Sequence, residues 1–119
     1  MIEIALTDSI LSFAIPAKNC RGRVVRLGPA LDDILAAHAY PPMIRDILAE
    51  AVCLTAMLGA LLKDEGAQLT LQAQTEAGVI SLLACDYKDG ALRGYVEFDR
   101  ERLASQPLEP SLMALFGKG

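Results

Sequence analysis

The residues that could carry catalytic chemistry are few and poorly spaced for it. His38 is the only histidine among 119 residues, so any Ser-His-Asp or Cys-His arrangement would have to use it. It stands where a helix is expected to end, and a histidine there caps carbonyl groups and complements the helix dipole. Asp32 and Asp33 are adjacent, so on a helix they point about 100° apart, which suits a helix start better than an acid/base pair. We therefore expect no catalytic residues and no enzyme.

One basic cluster is present, formed by Arg21 and Arg23 with Arg26 nearby. Arg21 and Arg23 share one face of a strand and could hold a phosphate or a carboxylate, so a small enzyme or ligand-binding domain with an anion clamp is one alternative. The solvated outer face of an edge strand is the interpretation we favour. The glycines form neither a phosphate-binding loop nor a dinucleotide fingerprint.

The three cysteines are Cys20, Cys53 and Cys85, each more than thirty residues from the next. No pair has the close spacing of a metal site, and an odd, unpatterned count does not indicate a secreted disulfide framework. Cytosolic thiols that behave as small buried hydrophobes fit this spacing. We expect no metal and no cofactor in this chain.

The composition excludes several further classes of protein. Hydrophobic residues make up 53% of the chain, which excludes a disordered protein, and the net charge of −4 disfavours a nucleic-acid module. The N-terminus has no basic region and is not a signal peptide. The longest uncharged apolar run, residues 51–62, is shorter than the ~20 residues that cross a bilayer. These features predict a cytoplasmic protein with no nucleic-acid or membrane partner.

The hydrophobic periodicity predicts an α+β fold with a mostly antiparallel sheet. Two N-terminal strands are expected at residues 10–15 and 20–27, followed by two helices at 29–38 and 42–63. A three-stranded meander is expected at residues 68–75, 79–87 and 92–98, and a short C-terminal helix at 112–116. Asp89-Gly90 is a hairpin signal between the last two strands. The ending Gly117-Lys118-Gly119 resembles a turn into another strand, so we expect a truncated domain or one half of an intertwined unit.

The long helix is apolar on nearly every side, so we expect it to be largely buried. Its predicted core stripe is Ile47, Ala51, Leu54, Leu58 and Leu61. The flank that includes Leu48, Val52, Thr55 and Gly59 is also largely apolar. The opposite face changes from polar residues to Cys53, Met57 and Ala60. Because a short chain has little material to cover three sides, we expect something outside the helix to cover this last group.

Several segments, in order, resemble the N-terminal domain of the heat shock protein 33 family of redox-regulated chaperonins. They are Arg21–Leu27, Leu31–Leu35, His38–Pro41, Leu48–Ala51, the Leu-Thr-Ala run at 54–56, Leu69–Gln72 and Gly90–Tyr95. No single segment is specific, but their common order extends from about Asp8 to Gly119.

The resemblance implies an ATP-independent holdase that binds unfolding proteins under oxidative stress and prevents their aggregation. It implies unfolded clients as partners and a homo-oligomer, a dimer in active family members. The family's switch is a C-terminal zinc centre of four cysteines, in a Cys-X-Cys and a Cys-X-X-Cys. Cys20, Cys53 and Cys85 match none of these, so neither zinc nor redox sensing is transferred to them.

Residues 1–119 are accordingly expected to be a single partial N-terminal domain, without the linker and the zinc redox-switch domain. Cys53, Met57 and Ala60 are the candidate contacts for clients or for a second copy of the chain. The alternative to a holdase is an oligomeric structural or assembly domain with no client activity of its own.

Overall fold

The computed structural model describes residues 2–3, 8–107 and 110–117. Within them the strands are β1 (Ile2–Glu3), β2 (Ser9–Ile15), β3 (Cys20–Arg26), β4 (Gln68–Gln74), β5 (Ile80–Lys88) and β6 (Ala91–Phe98). The α-helices are α1 (Pro29–Ala36), α2 (Pro42–Gly59), α3 (Arg100–Ala104) and α4 (Leu112–Phe116), and a 3₁₀ turn, Pro16–Lys18, joins β2 to β3.

The strands form two antiparallel sheets, one with the order β1-β6-β5-β4 and one made of β2 and β3. The predicted turn joins β5 to β6 and places Lys88 opposite Ala91. Asp89 and Gly90 have φ angles of 48° and 77°, the positive values that such a two-residue turn requires. The predicted α+β class with a mostly antiparallel sheet is confirmed.

The larger sheet has an inner and an outer face, as its period of two predicts. On β4, Leu69, Leu71 and Ala73 are half-buried while the residues between them are exposed. On β6, Leu92 and Val96 are buried. An antiparallel sheet of this kind packs one face on the core and leaves the other to water.

Helix α2 covers the inner face of this sheet. Its buried residues are Ile44, Leu48, Ala51, Val52, Thr55, Ala56 and Gly59. Two glycines bring the helix close to the strands. A Cβ on Gly94 would lie 2.8 Å from Cγ2 of Val52, and a Cβ on Gly59 would overlap the ring of Tyr87. The helix therefore packs through small residues and the branched side chains between them.

The predicted core stripe of α2 is wrong in its C-terminal half. Ala51 is buried and Ile47 is half-buried, but three leucines of the stripe are exposed: Leu54 at 42%, Leu58 at 37% and Leu61 at 53%. The stripe predicted as the flank is the buried one, because Thr55 and Gly59 allow the closer approach to the sheet. The helix also ends at Gly59, before the predicted Lys63.

The hairpin of β2 and β3 contacts the core by one face only. Ile10 and Val25 lie opposite each other and pack against the core cluster. Arg23 is half-buried, and its Nη1 donates to the carbonyl oxygen of Met57 at 3.3 Å. The prediction that both arginines lie on a solvated face is confirmed for Arg21, which is exposed, and is wrong for Arg23.

Helix α1 begins at Pro29 and carries Asp32 in its first turn, as predicted. A buried carboxylate that the sequence did not indicate caps it. Asp8 accepts from the N–H of Gly28 at 2.5 Å and from the N–H of Ala30 at 3.4 Å. The negative charge lies at the positive end of the helix dipole.

The C-terminal part contains one predicted helix and one that was missed. Helix α4 is present where the short apolar run predicted it, and its Leu115 is buried. Helix α3 was not predicted; Asp99 caps it by accepting from the N–H of Arg102 at 3.1 Å. The turn predicted at 117–119 falls partly on residues 118 and 119, which lie outside the described residues.

Candidate functional site

Large apolar side chains are exposed on two neighbouring elements. The hairpin patch consists of Leu11, Phe13, Ile15 and Val24, which are 43% to 63% exposed. The helix patch consists of three exposed leucines, Leu54 and Leu58 at the C-terminal end of α2 and Leu61 in the turn that follows it. Isolated exposed hydrophobics are ordinary on proteins, whereas a contiguous apolar surface marks a contact site.

The strand register places the hairpin patch on one face. Leu11 is opposite Val24, and Phe13 is opposite Gly22. The ring of Phe13 lies over Gly22, where a Cβ would overlap it. This face is turned away from the core, because Ile10 and Val25 on the other face pack inward. A two-stranded sheet with an apolar outer face lacks the cover that a third layer would supply.

The candidate contact residues lie beside the helix patch. Cys53 and Met57 are half-buried and Ala60 is exposed. Their i, i+4, i+7 spacing puts them on one side of the helix, and each is followed by one of the exposed leucines. No contact with a client or a second copy tests them, so they remain predictions. The three leucines were not among the predicted contacts, because the hydrophobic periodicity assigned them to the core.

A cleft of about 450 Å³ lies between the hairpin and the end of α2. Its lining comes from both strands of the hairpin and from the end of α2: Ser12, Phe13, Arg21, Gly22, Arg23 and Leu61. Phe13 belongs to the hairpin patch and Leu61 to the helix patch. Arg21 and Arg23 alternate with Val24 on β3, so their guanidinium groups lie on the side of the hairpin that faces the helix patch, and the hairpin patch lies on the opposite face.

The cysteine thiols differ in exposure. Burial raises the pKa of the Cys85 thiol to about 11, and a hydrogen bond with Thr55 offsets only part of this. Burial and the charge of Glu50 raise the pKa of Cys53. Cys20 is exposed. A raised pKa keeps a thiol protonated and unreactive at neutral pH, so Cys53 and Cys85 behave as apolar side chains, as predicted.

His38 follows α1 as predicted, but its contacts are aromatic. Its ring packs edge-on against Tyr40 and Tyr95, with centroids 5.5 Å and 5.3 Å apart. It lines a cavity of about 520 Å³ with Asp33, at the edge of the larger sheet. The described residues bring no serine or cysteine to this imidazole as a nucleophile.

A polar cluster that the sequence analysis missed occupies the outer face of the larger sheet. Asp86 is only 5% exposed; it accepts from Oγ1 of Thr70 at 2.6 Å and from Nε of Arg93 at 2.8 Å. Burial acts to raise the pKa of Asp86, but these hydrogen bonds outweigh it and lower the pKa. The Asp89-Gly90 turn could have predicted this pair, because the two strands that leave the turn place residue 86 opposite residue 93.

Among the described residues, no group of three or more histidine, cysteine, aspartate or glutamate side chains is placed to hold a metal ion. No helix in that part of the chain is long and apolar enough to cross a membrane.

The model of the Hsp33 protein family matches residues 8–119. The chain is 41% identical over 118 residues to a 33 kDa chaperonin of Caulobacter vibrioides, and 36% identical over 112 residues to one of Pseudoalteromonas atlantica. These matches cover 96% and 94% of this chain but 38% and 36% of the relatives, so the chain spans little more than a third of their length. The resemblance seen in the sequence is thereby confirmed, and the chain belongs to the Hsp33 family.

Proposed function

We propose that this chain binds unfolding proteins and prevents their aggregation without ATP, as the client-contact part of a cytoplasmic chaperone. The observation that carries the proposal is the exposure of large apolar side chains on two neighbouring elements, the hairpin patch and the helix patch. The seven residues of these patches are 37% to 63% exposed. The name chaperonin borne by the relatives supports the same function.

The proposed contact is the burial of apolar area, which needs no fixed geometry. Each Å² of apolar surface removed from water contributes roughly 25 cal/mol, so covering about 300 Å² contributes about 7.5 kcal/mol before the cost of ordering the client. Leucine and methionine side chains suit varied clients because they can repack. Met57, Cys53 and Ala60 extend this surface beside the exposed leucines.

The family's zinc and redox switch does not fit the cysteines of this chain. Such a centre needs four thiolates within bonding reach of one ion, in closely spaced pairs. Here Cys85 is fully buried while Cys20 is exposed, and more than sixty residues separate them. We therefore propose that these 119 residues bind clients without zinc and without oxidation, and that no enzymatic step is involved.

A homo-oligomer is the second part of the proposal. The half-buried Met57 lies beside exposed leucines, so a second copy of the chain would bury it further. Met57→Glu should then lower the mass measured by multi-angle light scattering, because a buried unpaired carboxylate is costly. An unchanged mass in a folded variant would exclude this face from the oligomer.

The test of client binding is the light scattering of guanidinium-unfolded malate dehydrogenase diluted into buffer with and without the chain. We expect suppression at near-stoichiometric ratio without zinc or oxidant. The double variant Leu54→Glu/Leu58→Glu should lose it. The matched control, Gln72→Glu/Gln74→Glu, adds the same charge on the solvated strand β4 and should retain it.

An assembly domain without client activity would give a different result. It would form an oligomer of fixed stoichiometry and leave the scattering unchanged. Equal suppression by the leucine double variant and by its control would instead place the client contact elsewhere on the chain.

A further inference from the structure

The charges of this protein are segregated along the chain. The segment 9–27, which forms the hairpin, has four basic residues and no acidic one: Lys18, Arg21, Arg23 and Arg26. The other residues carry 7 basic and 15 acidic side chains, a net charge of −8 in a chain whose total is −4. The hairpin is thus a positive, apolar element on an acidic protein, and it favours partners that are negative and apolar.

Two of these arginines lie side by side in the cleft between the hairpin and the end of α2. Arg21 and Arg23 are two residues apart on β3, so they project to the same face. In the described part of the chain the only ion pair joins Arg93 to Asp86, so no carboxylate of those residues neutralises either guanidinium. Arg23 is held by its bond to the Met57 carbonyl, and each guanidinium has five N–H donors, most of which remain for a ligand.

The walls of the cleft determine which anion fits. Leu61 provides an apolar contact beside the guanidinium groups, Leu58 and Leu54 of the helix patch continue it, and Ser12 adds a hydroxyl. A free phosphate would use the charges but leave these leucines uncovered. A glutamate or aspartate next to aliphatic residues in an extended polypeptide would use both.

We propose that this cleft is a binding site for acidic–aliphatic segments of unfolded polypeptides, with a client carboxylate held by Arg21 and Arg23. The site rests on the proposed function and adds a preference to it: apolar area supplies most of the affinity, and the arginine pair selects segments that carry a carboxylate. Charge-assisted bonds to a carboxylate are the stronger class of hydrogen bond, which suits them to this selection.

The test is fluorescence anisotropy with a labelled ten-residue peptide that has two leucines and two glutamates in a glycine–serine background. We expect the affinity to fall about tenfold when glutamine replaces glutamate in the peptide, or when Arg21→Gln removes the exposed guanidinium. Arg26→Gln is the matched control, because it removes the same charge from the opposite face of the same strand. It should leave the affinity nearly unchanged. Binding should also weaken as salt is added.

Equal affinity for the two peptides, or an equal loss in both arginine variants, would overturn the proposed site. A change in oligomer mass in Arg21→Gln would also overturn it and assign the cleft to acidic residues of a second copy. Suppression of malate dehydrogenase aggregation is measured separately on the same variants. Suppression with no peptide discrimination refutes the site alone, whereas a wild-type chain that suppresses nothing refutes the proposed function.

Discussion

The buried carboxylate on the outer face of the sheet should make the stability of this protein depend on pH. Asp86 accepts hydrogen bonds from Thr70 and Arg93, and its side chain is 7% exposed, whereas that of Arg93 is 65% exposed. The bond from the Thr70 hydroxyl to a charged acceptor contributes about 1.5–3 kcal/mol. The pair with the mostly solvated Arg93 contributes only about 0.2–1 kcal/mol.

Asp86→Asn keeps an acceptor for Thr70 but removes the charge, so we expect a loss of about 1 kcal/mol. Asp86→Ala removes the acceptor as well and should cost about 2 kcal/mol. Because the pKa of Asp86 is lower in the folded protein, its contribution is complete above the unfolded pKa near 4 and disappears as the pH falls through the folded value. The wild type should therefore lose its advantage over Asp86→Asn in acid.

The measurement is urea unfolding followed by circular dichroism at 222 nm, since the chain has no tryptophan. It is repeated at pH 7, 5, 4 and 3 for wild type and Asp86→Asn. Thr70→Val is the companion variant, and it should show a similar loss at pH 7. A difference between wild type and Asp86→Asn that stays constant from pH 7 to pH 3 would refute the assignment of the charge to the stabilising network.

Two further substitutions test the packing around α1 and α2. Gly59→Ala should destabilise the fold by about 1–3 kcal/mol, because the overlap of the added methyl with the ring of Tyr87 outweighs the better helix propensity of alanine. Urea unfolding measures this loss, and an unchanged midpoint would show that the ring moves freely. Asp8→Ala should lower the free energy of unfolding by about 1–2 kcal/mol, because it removes the cap of α1. Asp33→Ala, on the same helix, is the control, and equal losses in urea unfolding would contradict the capping role.

The elements were predictable where one periodicity dominated. The alternation on β4 and the Asp89-Gly90 turn located the meander, and both are local signals. Pro29 and Asp32 located the start of α1 for the same reason. The capping role of Asp8 was not predictable, because twenty residues separate it from Gly28 and no spacing rule connects them.

The buried side of α2 was not predictable because the helix has two adjacent apolar stripes. The leucine stripe has the larger hydrophobic side chains, so a rule based on hydrophobicity selects it. Packing selected the other stripe, since Thr55 and Gly59 bring the helix axis nearer the strands than leucines would allow. The contact distance depends on Gly94 and Tyr87, which belong to strands far along the chain.

The burial of the small-residue stripe of α2 also explains how the candidate site arises. Burying the small-residue stripe leaves the three leucines at the end of α2 outside the core, next to a hairpin whose outer face is also apolar. The sequence indicated that the helix had more apolar surface than the chain could cover, and it placed the surplus on Cys53, Met57 and Ala60. The structure extends the exposed surface to the neighbouring leucines.

The outer face of the larger sheet contributes to stability, whereas the hairpin side is proposed to bind partners. On the outer face of the larger sheet the charged groups are paired internally: Asp86 uses its oxygens on Thr70 and Arg93, and that arginine forms the only ion pair of the described residues. The hairpin side is open, since its arginines lack carboxylate partners there and its large side chains face water. A substitution on the first side should change stability and leave binding intact, and one on the second should do the reverse. Asp86→Asn and Arg21→Gln, each measured for both properties, test this division directly.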